Sequence, residues 1–231
     1  MARISKRALT RLEIVQEASK QFLEKGYTRT TISAISKALE MSPGNLTFHF
    51  PTKEHLLAEL VEMMIQFQWK LMEAEADEGL SSIMALCLEL TAMASASEDD
   101  EVIKDFFISS YTSPMCLAII RRNDKARAKE IFAAHRPDWT DEQFTEAEIL
   151  CSGIEFATLM TAGEPVSLER RITGALHSIL DLYGIPKEVR AAKIQKVFKM
   201  DHKSLGKRAL REFREYVEQA NEQALLDMLK R

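Results

Sequence analysis

Glycine, proline and valine are scarce in this chain of 231 residues. It contains 8 glycines, 6 prolines and 7 valines, against 26 alanines and 25 leucines. Alanine and leucine favour helices, whereas β-branched residues such as valine favour strands. A hydrophobic share of 46% is ordinary for a globular protein and excludes disorder over the whole chain. The composition therefore predicts an all-α fold with short turns.

Cysteine is also scarce, and its spacing excludes two classes of protein. The cysteines Cys87, Cys116 and Cys151 are too few for a disulfide framework and too far apart for a zinc knuckle. We therefore predict no metal site and no cofactor. The thiols are interpreted as buried and inert in a reducing cytoplasm, with a thiol redox sensor as the alternative.

Long apolar runs are missing as well. The longest uncharged stretch, 106–120, has 15 residues, a proline and several hydroxyls, and is too short to span a bilayer. The basic segment 1–12 is not followed by an apolar run, so neither a signal peptide nor a membrane segment is predicted. The 5 histidines are scattered, and no Ser-His-Asp order, carboxylate pair or phosphate loop is visible. An enzyme is therefore not expected.

Charge is unevenly distributed along the chain. The whole chain has a net charge of −4, but residues 1–55 contain 9 Lys/Arg against 5 Asp/Glu. This pattern predicts a small basic module that contacts nucleic acid through one face, attached to an acidic body. Chance asymmetry is the alternative.

Hydrophobic periodicity and capping residues predict three helices near the N-terminus. An apolar stripe with a period of three to four residues predicts the first helix over 10–25. Thr30 or Thr31 then caps a second helix of about eight residues. After a break of about three residues, Ser42 caps a third short helix with Pro43 at its first position.

A longer helix followed by two short helices and a tight turn is the layout of a helix-turn-helix DNA-binding unit. A short-helix connector within an ordinary helical domain is the alternative. Thr52 is predicted to cap a long fourth helix that reaches about residue 76. Seven further helices are predicted over 80–96, 102–113, 115–135, 141–162, 168–183, 186–200 and 204–230.

The N-terminal residues resemble the DNA-binding region of the TetR family of bacterial transcription regulators. The matching segments, in order, are 14–22 (IVQEASKQF), 24–27 (EKGY), 30–32 (TTI), 35–38 (ISKA), 41–42 (MS), 44–46 (GNL), 49–50 (HF), 53–54 (KE) and 56–57 (LL). The resemblance implies an all-α protein with a three-helix helix-turn-helix domain at 1–55 and a larger helical ligand-binding and dimerisation domain at 56–231. It also implies a homodimer on double-stranded DNA with a near-palindromic operator. Such proteins usually act as repressors that a small molecule releases from DNA. The resemblance therefore implies a small-molecule effector, which the sequence does not identify.

The third helix and its neighbours are the candidate DNA interface. The amide of Asn45 can pair with adenine in two directions, which makes it the candidate base-contacting residue. Phe48 is expected either at a thymine methyl or in the core, and His49 either at a phosphate or as a partly buried capping residue. The predicted DNA-binding residues are Thr30, Thr31, Ser42, Pro43, Gly44, Asn45, Thr47, Phe48, His49 and Lys53.

The chain departs from the family pattern at two positions and has a basic N-terminus. Glu40 stands where the family often has glycine in the turn, and a left-handed Glu40 costs about 1 kcal/mol unless the turn is reshaped. Thr47 stands where the family usually has a tyrosine that contacts a phosphate. The basic N-terminal side chains form either an arm along the DNA or a solvated tail; they are Arg3, Lys6, Arg7 and Arg11.

The second domain has no motif that matches the family, and the predictions for it follow from the resemblance. Candidate ligand-pocket residues are Phe107, Tyr111, Met115, Phe156 and Met160, with plain core as the alternative. The helices over 141–162 and 168–183 are the candidates for the dimer interface.

A second basic segment leaves another function open. Residues 190–214 contain 9 Lys/Arg against 2 acidic residues. The alternative function is a DNA-bound nucleoid or scaffold protein of the same fold that uses this face and has no ligand. A solvated helix surface is the simpler interpretation of the same charges.

Overall fold

The computed structural model describes residues 6–76, 82–161 and 165–229, and all regular structure in these residues is α-helical. The helices are α1 (Lys6–Lys25), α2 (Ile32–Ala38), α3 (Pro43–His49), α4 (Lys53–Ala76), α5 (Ile83–Asp99), α6 (Glu101–Thr112), α7 (Pro114–Phe132), α8 (Asp141–Met160), α9 (Leu168–Leu182), α10 (Lys187–Lys199) and α11 (His202–Leu229). The predicted all-α fold is confirmed. Over the described ranges, no helix is both long enough and apolar enough to cross a membrane.

Local capping sets the ends of the short helices. The Thr31 hydroxyl accepts a hydrogen bond of 3.0 Å from the Ala34 amide at the start of α2. The Ser42 hydroxyl accepts one of 3.2 Å from the Asn45 amide, and Pro43 follows at the first position of α3. Both caps agree with the prediction. Because helices of seven residues are unstable alone, α2 and α3 depend on a shared core with α1 and α4, formed by Ile14, Phe22, Ile35, Leu46, Phe50, Leu56 and Leu57.

The turn between α2 and α3 is left-handed at a residue that is not glycine. Glu40 has φ +53°. Its amide donates to the Lys37 carbonyl at 3.2 Å, and the Met41 amide donates to the Ser36 carbonyl at 3.0 Å. This paired pattern is the Schellman motif, in which the left-handed position usually holds glycine. The family's usual turn is thus kept, with the strain of a side chain at Glu40.

The larger group of helices surrounds α4 and α5. Helix α4 packs against both α5 and α7, and α5 also contacts α6, α8, α9, α10 and α11. Asp100 ends α5 and caps α6 by accepting from the Val102 amide at 2.8 Å. Ser113 then caps α7, and Pro114 opens it, so the chain bends where the sequence predicted a break. Helix α7 ends at Phe132, three residues earlier than expected, because a turn precedes the Arg136–Pro137 bond.

Helix α11 connects the larger group to the N-terminal helices. It packs on α5 and on α1. At Gly206, α11 approaches α5 so closely that a Cβ atom added to Gly206 would lie 2.5 Å from the Ala92 carbonyl oxygen. Farther along, the Arg214 guanidinium donates to the Leu23 carbonyl at 3.0 Å.

Candidate DNA interface and ligand cavity

Helix α3 has one buried face and one exposed face. Leu46 is fully buried, whereas Pro43, Gly44 and Asn45 are exposed at its N-terminal end. Phe48 is 66% exposed, which excludes the core alternative for its side chain. These residues form a surface that can enter a groove with little steric obstruction at its leading end.

Thr47 and His49 flank this exposed face. The Thr47 hydroxyl donates to the Gly44 carbonyl at 3.2 Å, and the residue is half-buried. The His49 ring meets the Phe48 ring edge to face at 5.4 Å. Burial, followed by the positive charges of Arg7 and Arg11, lowers the pKa of His49 below its ordinary value of 6.5. These surroundings therefore disfavour a positive charge on the His49 ring.

Two predicted contact residues are engaged inside the N-terminal helices. Thr30 is buried, and its hydroxyl donates to the Gly26 carbonyl at 2.8 Å. The Lys53 ammonium donates to the carbonyls of Tyr27 at 2.9 Å and Thr30 at 2.8 Å, and lies 4.0 Å from the centre of the Tyr27 ring. Thr31 and Ser42 are exposed, but their hydroxyls cap α2 and α3. Lys53 thus holds the start of α4 against the α1–α2 loop.

The basic residues at the N-terminus belong to α1 from Lys6 onward. Arg3 and the side chain of Lys6 lie outside the described residues. The Arg7 guanidinium lies 5.2 Å from the centre of the Phe48 ring. Arg11 donates to Glu59 at 2.6 Å and lies over the Phe50 ring at 4.0 Å. Because Arg7 and Arg11 lie on a helix, neither belongs to an extended arm.

A cavity lies between α4, α5, α6, α7, α8 and α9. It contains about 830 Å³ of space not occupied by atoms, its open mouth included. Phe107 and Tyr111, two of the predicted pocket residues, line it. Met115, Phe156 and Met160 are not among its lining residues. The Phe156 ring stacks at 6.4 Å on Tyr111, Met115 packs partly buried against the core, and Met160 is 54% exposed.

The cavity contains a group of charged residues that the sequence did not predict. Arg127 pairs with Glu89 at 3.0 Å and with Asp124, and its guanidinium lies 4.5 Å from the centre of the Trp69 ring. Asp124, Glu148 and Glu155 each place one carboxylate oxygen within 4.8 Å of the other two. The Tyr111 hydroxyl donates to Glu155 at 2.9 Å.

Burial makes these carboxyls weak acids. Burial, and then the neighbouring charge of Asp124, raise the pKa of Glu155 to about 8 from an ordinary value of 4.5. The same two causes raise the pKa of Glu148 well above its ordinary value. Burial also raises the pKa of Glu89 and of Asp124, against the opposing charge of Arg127. The cavity therefore favours protons or another positive charge beside its carboxylates.

Helical spacing is the signal that marks these acids in the sequence. Glu148, Cys151 and Glu155 are separated by three and four residues, so they share the face of α8 that also carries buried Phe144 and Ala147. Acidic residues on an otherwise apolar helix face are therefore the pattern that marks this site in the sequence. Charged residues seldom occupy such positions unless they are paired.

The cysteines are all buried. Cys87, Cys116 and Cys151 form no disulfide bond with one another, and Cys151 lines the cavity. Burial raises the pKa of Cys116 and that of Cys151. Reactive thiols need a lowered pKa and some exposure, so these environments favour inert side chains.

Part of the second basic segment is paired with acids of the same chain. Lys207 pairs with Asp99 at 3.4 Å, and Arg208 pairs with Glu75 at 2.5 Å. Arg190 pairs with Asp181. On this helix surface, acidic neighbours offset part of the positive charge.

The outward face of α8 is apolar. Ile149, Leu150 and Met160 are about half-exposed, at 48%, 50% and 54%. Gly153 and Ala157 are exposed between them, and nothing lies within 4 Å of a Cβ added at Gly153. Exposed apolar surface at this helical spacing is typical of a protein–protein interface.

Comparison with known proteins assigns the N-terminal region. Residues 14–60 match the family model of bacterial regulatory proteins, tetR family. Through these residues the chain resembles the DNA-binding region of the TetR family. The match includes α2, the turn at Glu40, α3 and the start of α4.

A known regulator is similar over part of the chain. The HTH-type transcriptional regulator QacR of Staphylococcus aureus is 43% identical over 61 residues, which are 25% of this chain and 32% of that protein. The chain thus matches about a third of the length of this curated relative.

Solved structures of other proteins share the fold. The repressor FadR of Thermus thermophilus, in complex with lauroyl-CoA, has a TM-score of 0.57 and 16% identity, covering 77% of this chain and 96% of that one. RolR without ligand has a TM-score of 0.57 and 16% identity, covering 81% and 96%. SmeT, repressor of the multidrug efflux pump SmeDEF of Stenotrophomonas maltophilia, has a TM-score of 0.50 and 20% identity, covering 77% and 94%. At these identities the similarity shows the fold.

Proposed function

We propose that this chain is a sequence-specific DNA-binding transcriptional regulator of the bacterial cytoplasm, with a DNA-binding domain at 1–55 and a ligand-binding and dimerisation domain at 56–231. The observation that carries the proposal is the exposed face of α3. Pro43, Gly44, Asn45 and Phe48 face outward while Leu46 anchors the helix, within the segment that matches the TetR family. A recognition helix in this position contacts base edges with its N-terminal residues.

Selection of bound duplexes from a random DNA pool, at moderate salt, tests this function. A palindromic consensus is the expected result, because a dimer presents two copies of α3 to the duplex. Asn45→Ala should lower affinity for the consensus by roughly tenfold or more, since a bidentate base contact contributes about 1–3 kcal/mol. Gln195→Ala, on exposed α10, is the control. Binding without any consensus contradicts sequence specificity.

The dimer is proposed to form through the outward face of α8, together with α9. Leu150→Arg places a charge at the centre of this apolar surface and should give a monomer that binds the operator weakly. Val189→Arg makes the same change at an exposed apolar residue of α10 and serves as the control. Sedimentation velocity distinguishes monomer from dimer. A dimer that survives Leu150→Arg contradicts this interface.

We further propose that the regulator is a repressor, released when a small molecule fills the cavity. Helix α4 supports this mechanism, because it begins at Lys53, bound to the α1–α2 loop, and continues along the cavity wall through Val61 and Trp69. A ligand that displaces α4 would change the spacing of the two recognition helices. The lauroyl-CoA complex of FadR supports a ligand site in this fold. Operator affinity that no cavity ligand changes would refute the mechanism.

Neutralising Lys203, Lys207, Arg208 and Arg211 tests whether the second basic segment contacts DNA. Two of these four side chains, Lys207 and Arg208, already pair with acids of the same chain, so we expect the salt dependence of operator binding to stay unchanged. A shallower dependence would favour the scaffold function.

A further inference from the structure

Four acidic side chains line a cavity whose walls are otherwise mainly apolar: Glu89, Asp124, Glu148 and Glu155. Arg127 is the one Lys or Arg among the described lining residues, and it pairs with Glu89 and with Asp124. Glu148 and Glu155 have no salt bridge within the described part of the chain. The cavity therefore has more acidic than basic groups on its wall.

Glu148 provides a second observation, independent of the number of acids. Its side chain is buried, with the residue only 4% exposed, and its Oε1 atom has no hydrogen-bond partner among the described residues. The nearby Arg121 directs its Nε atom to the Ser152 hydroxyl at 2.9 Å. A buried carboxylate oxygen without a partner is costly, and a donor that enters the cavity removes that cost.

We propose that the cavity binds an apolar molecule that carries a cationic amine, with the amine at Glu148 and Glu155. The assignment rests on the proposed function, because it specifies the chemistry of the effector. An ammonium group brings several N–H donors and a positive charge to the carboxylate oxygens. The apolar part packs against Phe107, Ile120 and Met93, which lie on three different helices of the wall.

Other ligand chemistries fit the cavity less well. A bare divalent ion at Asp124, Glu148 and Glu155 would lie beside the guanidinium of Arg127 and would leave the apolar wall without a contact. A carboxylate or phosphate ligand would face four acidic side chains against one guanidinium. A neutral apolar ligand would leave the Glu148 oxygen unpaired.

Calorimetric titration of the full chain with matched probes tests the proposal. The probes are phenylalkylamines of increasing chain length, each paired with the alcohol and the carboxylate of the same skeleton, and Mn²⁺ alone. We expect the amines to bind at least roughly tenfold more tightly than the alcohols, and the carboxylates to bind most weakly. The variant E148Q/E155Q should lose this preference. E188Q/E215Q, with two exposed acids changed in the same way, should retain it.

The outcomes separate the ligand class from the regulatory function. Equal affinity for amine and alcohol, an amine preference that persists in E148Q/E155Q, or no binding by any amine overturns the proposal. If the chain binds Mn²⁺ but no amine, and E148Q/E155Q loses Mn²⁺ binding, the cavity is a metal site and the amine proposal is overturned. Operator binding by the unliganded protein is measured in parallel. Specific DNA binding without amine binding overturns only the effector class, whereas amine binding without specific DNA binding overturns the regulator function and supports the cavity assignment.

Discussion

The carboxylate of Asp105 accepts a hydrogen bond of 2.9 Å from the backbone amide of Thr28. Asp105 lies on α6, directly before the cavity residues Phe106 and Phe107, while Thr28 lies in the loop between α1 and α2. One helix thus contacts both the cavity and the loop that precedes the helix-turn-helix. Asp105 is therefore one of the contacts that join α6 to this loop.

Asp105→Ala should therefore loosen the loop. Loss of a hydrogen bond to a charged acceptor should lower the free energy of unfolding by about 1–3 kcal/mol. The Thr28 amide should also exchange its hydrogen faster, which hydrogen-exchange mass spectrometry or NMR measures. Asp105→Asn retains an oxygen acceptor and should have a smaller effect. Unchanged exchange at Thr28 in Asp105→Ala would show that the loop is held by other contacts.

The left-handed turn predicts a stabilising substitution. Glu40 has φ +53°, which a side chain tolerates poorly and glycine adopts freely. Glu40→Gly should raise the free energy of unfolding by up to about 1 kcal/mol, which chemical denaturation measures. Glu40→Ala keeps a Cβ atom and should not stabilise. If both variants are equally stable, strain at this turn is negligible.

The close approach of α11 to α5 predicts the opposite effect at Gly206. Alanine is the better helix former, but its Cβ atom would meet the Ala92 carbonyl at 2.5 Å. Gly206→Ala should lower the free energy of unfolding by about 1–3 kcal/mol because the helices must separate. Lys203→Ala, on the same helix and exposed, should be close to neutral. A stabilised Gly206→Ala protein would contradict the close contact.

Phe48 provides a test that separates DNA contact from stability. Its ring is 66% exposed, so Phe48→Ala should change the free energy of unfolding by less than about 0.5 kcal/mol. Operator affinity should nevertheless fall several-fold, because the ring is available to a thymine methyl. Phe50→Ala removes a fully buried ring and should cost about 3–5 kcal/mol in stability. Unchanged operator affinity in Phe48→Ala would place the ring outside the interface.

The cavity acids predict a stability that falls as pH rises. The pKa of Glu155 is about 8 in the folded protein, raised by burial and by Asp124 from an ordinary value of 4.5. Between these values the folded state keeps a proton that the unfolded chain has lost. The free energy of unfolding therefore decreases with pH by about 1.4 kcal/mol per pH unit for this proton. The raised pKa values of Glu89, Asp124 and Glu148 act in the same direction.

Glu155→Gln should make this pH dependence shallower by about one proton, measured by chemical denaturation from below pH 5 to about pH 9. The variant should be more stable than the parent chain at the alkaline end of the range. Glu188→Gln, at an exposed acid of α10, is the control and should leave the dependence unchanged. A parallel pH dependence in Glu155→Gln would mean that this carboxyl titrates normally.

The helix-turn-helix could be predicted from the sequence because the residues that start its helices are close together in the chain. Ser42 and Pro43 start α3 through hydrogen bonds and dihedral angles within four residues, and Thr31 does the same for α2. The α7–α8 break at Pro137 is equally local. The beginning of α1 was predicted four residues late, since residues 6–9 contain no break and no apolar stripe to mark the first turn.

The cavity could be predicted from the sequence only in part, because its shape depends on how six helices pack. Helix α8 has apolar residues on two faces, and periodicity alone does not show which face meets the core. Met160 was placed in the pocket, but it lies on the outward face with Leu150. Glu148 and Glu155 lie on the inward face and line the cavity. Sequence alone predicts charged residues to be exposed, so their position follows only from the packing of the neighbouring helices.

Trp69 gives the cavity an intrinsic optical probe. The chain contains 2 tryptophans, and the second, Trp139, packs beside Phe144 and Tyr183, where its ring centre lies 5.2 Å and 5.8 Å from theirs. Trp69 lines the cavity directly beneath the Arg127 guanidinium. In a Trp139→Phe protein the indole emission would come from the cavity wall alone. Fluorescence quenching would then report how full the cavity is, without any attached dye.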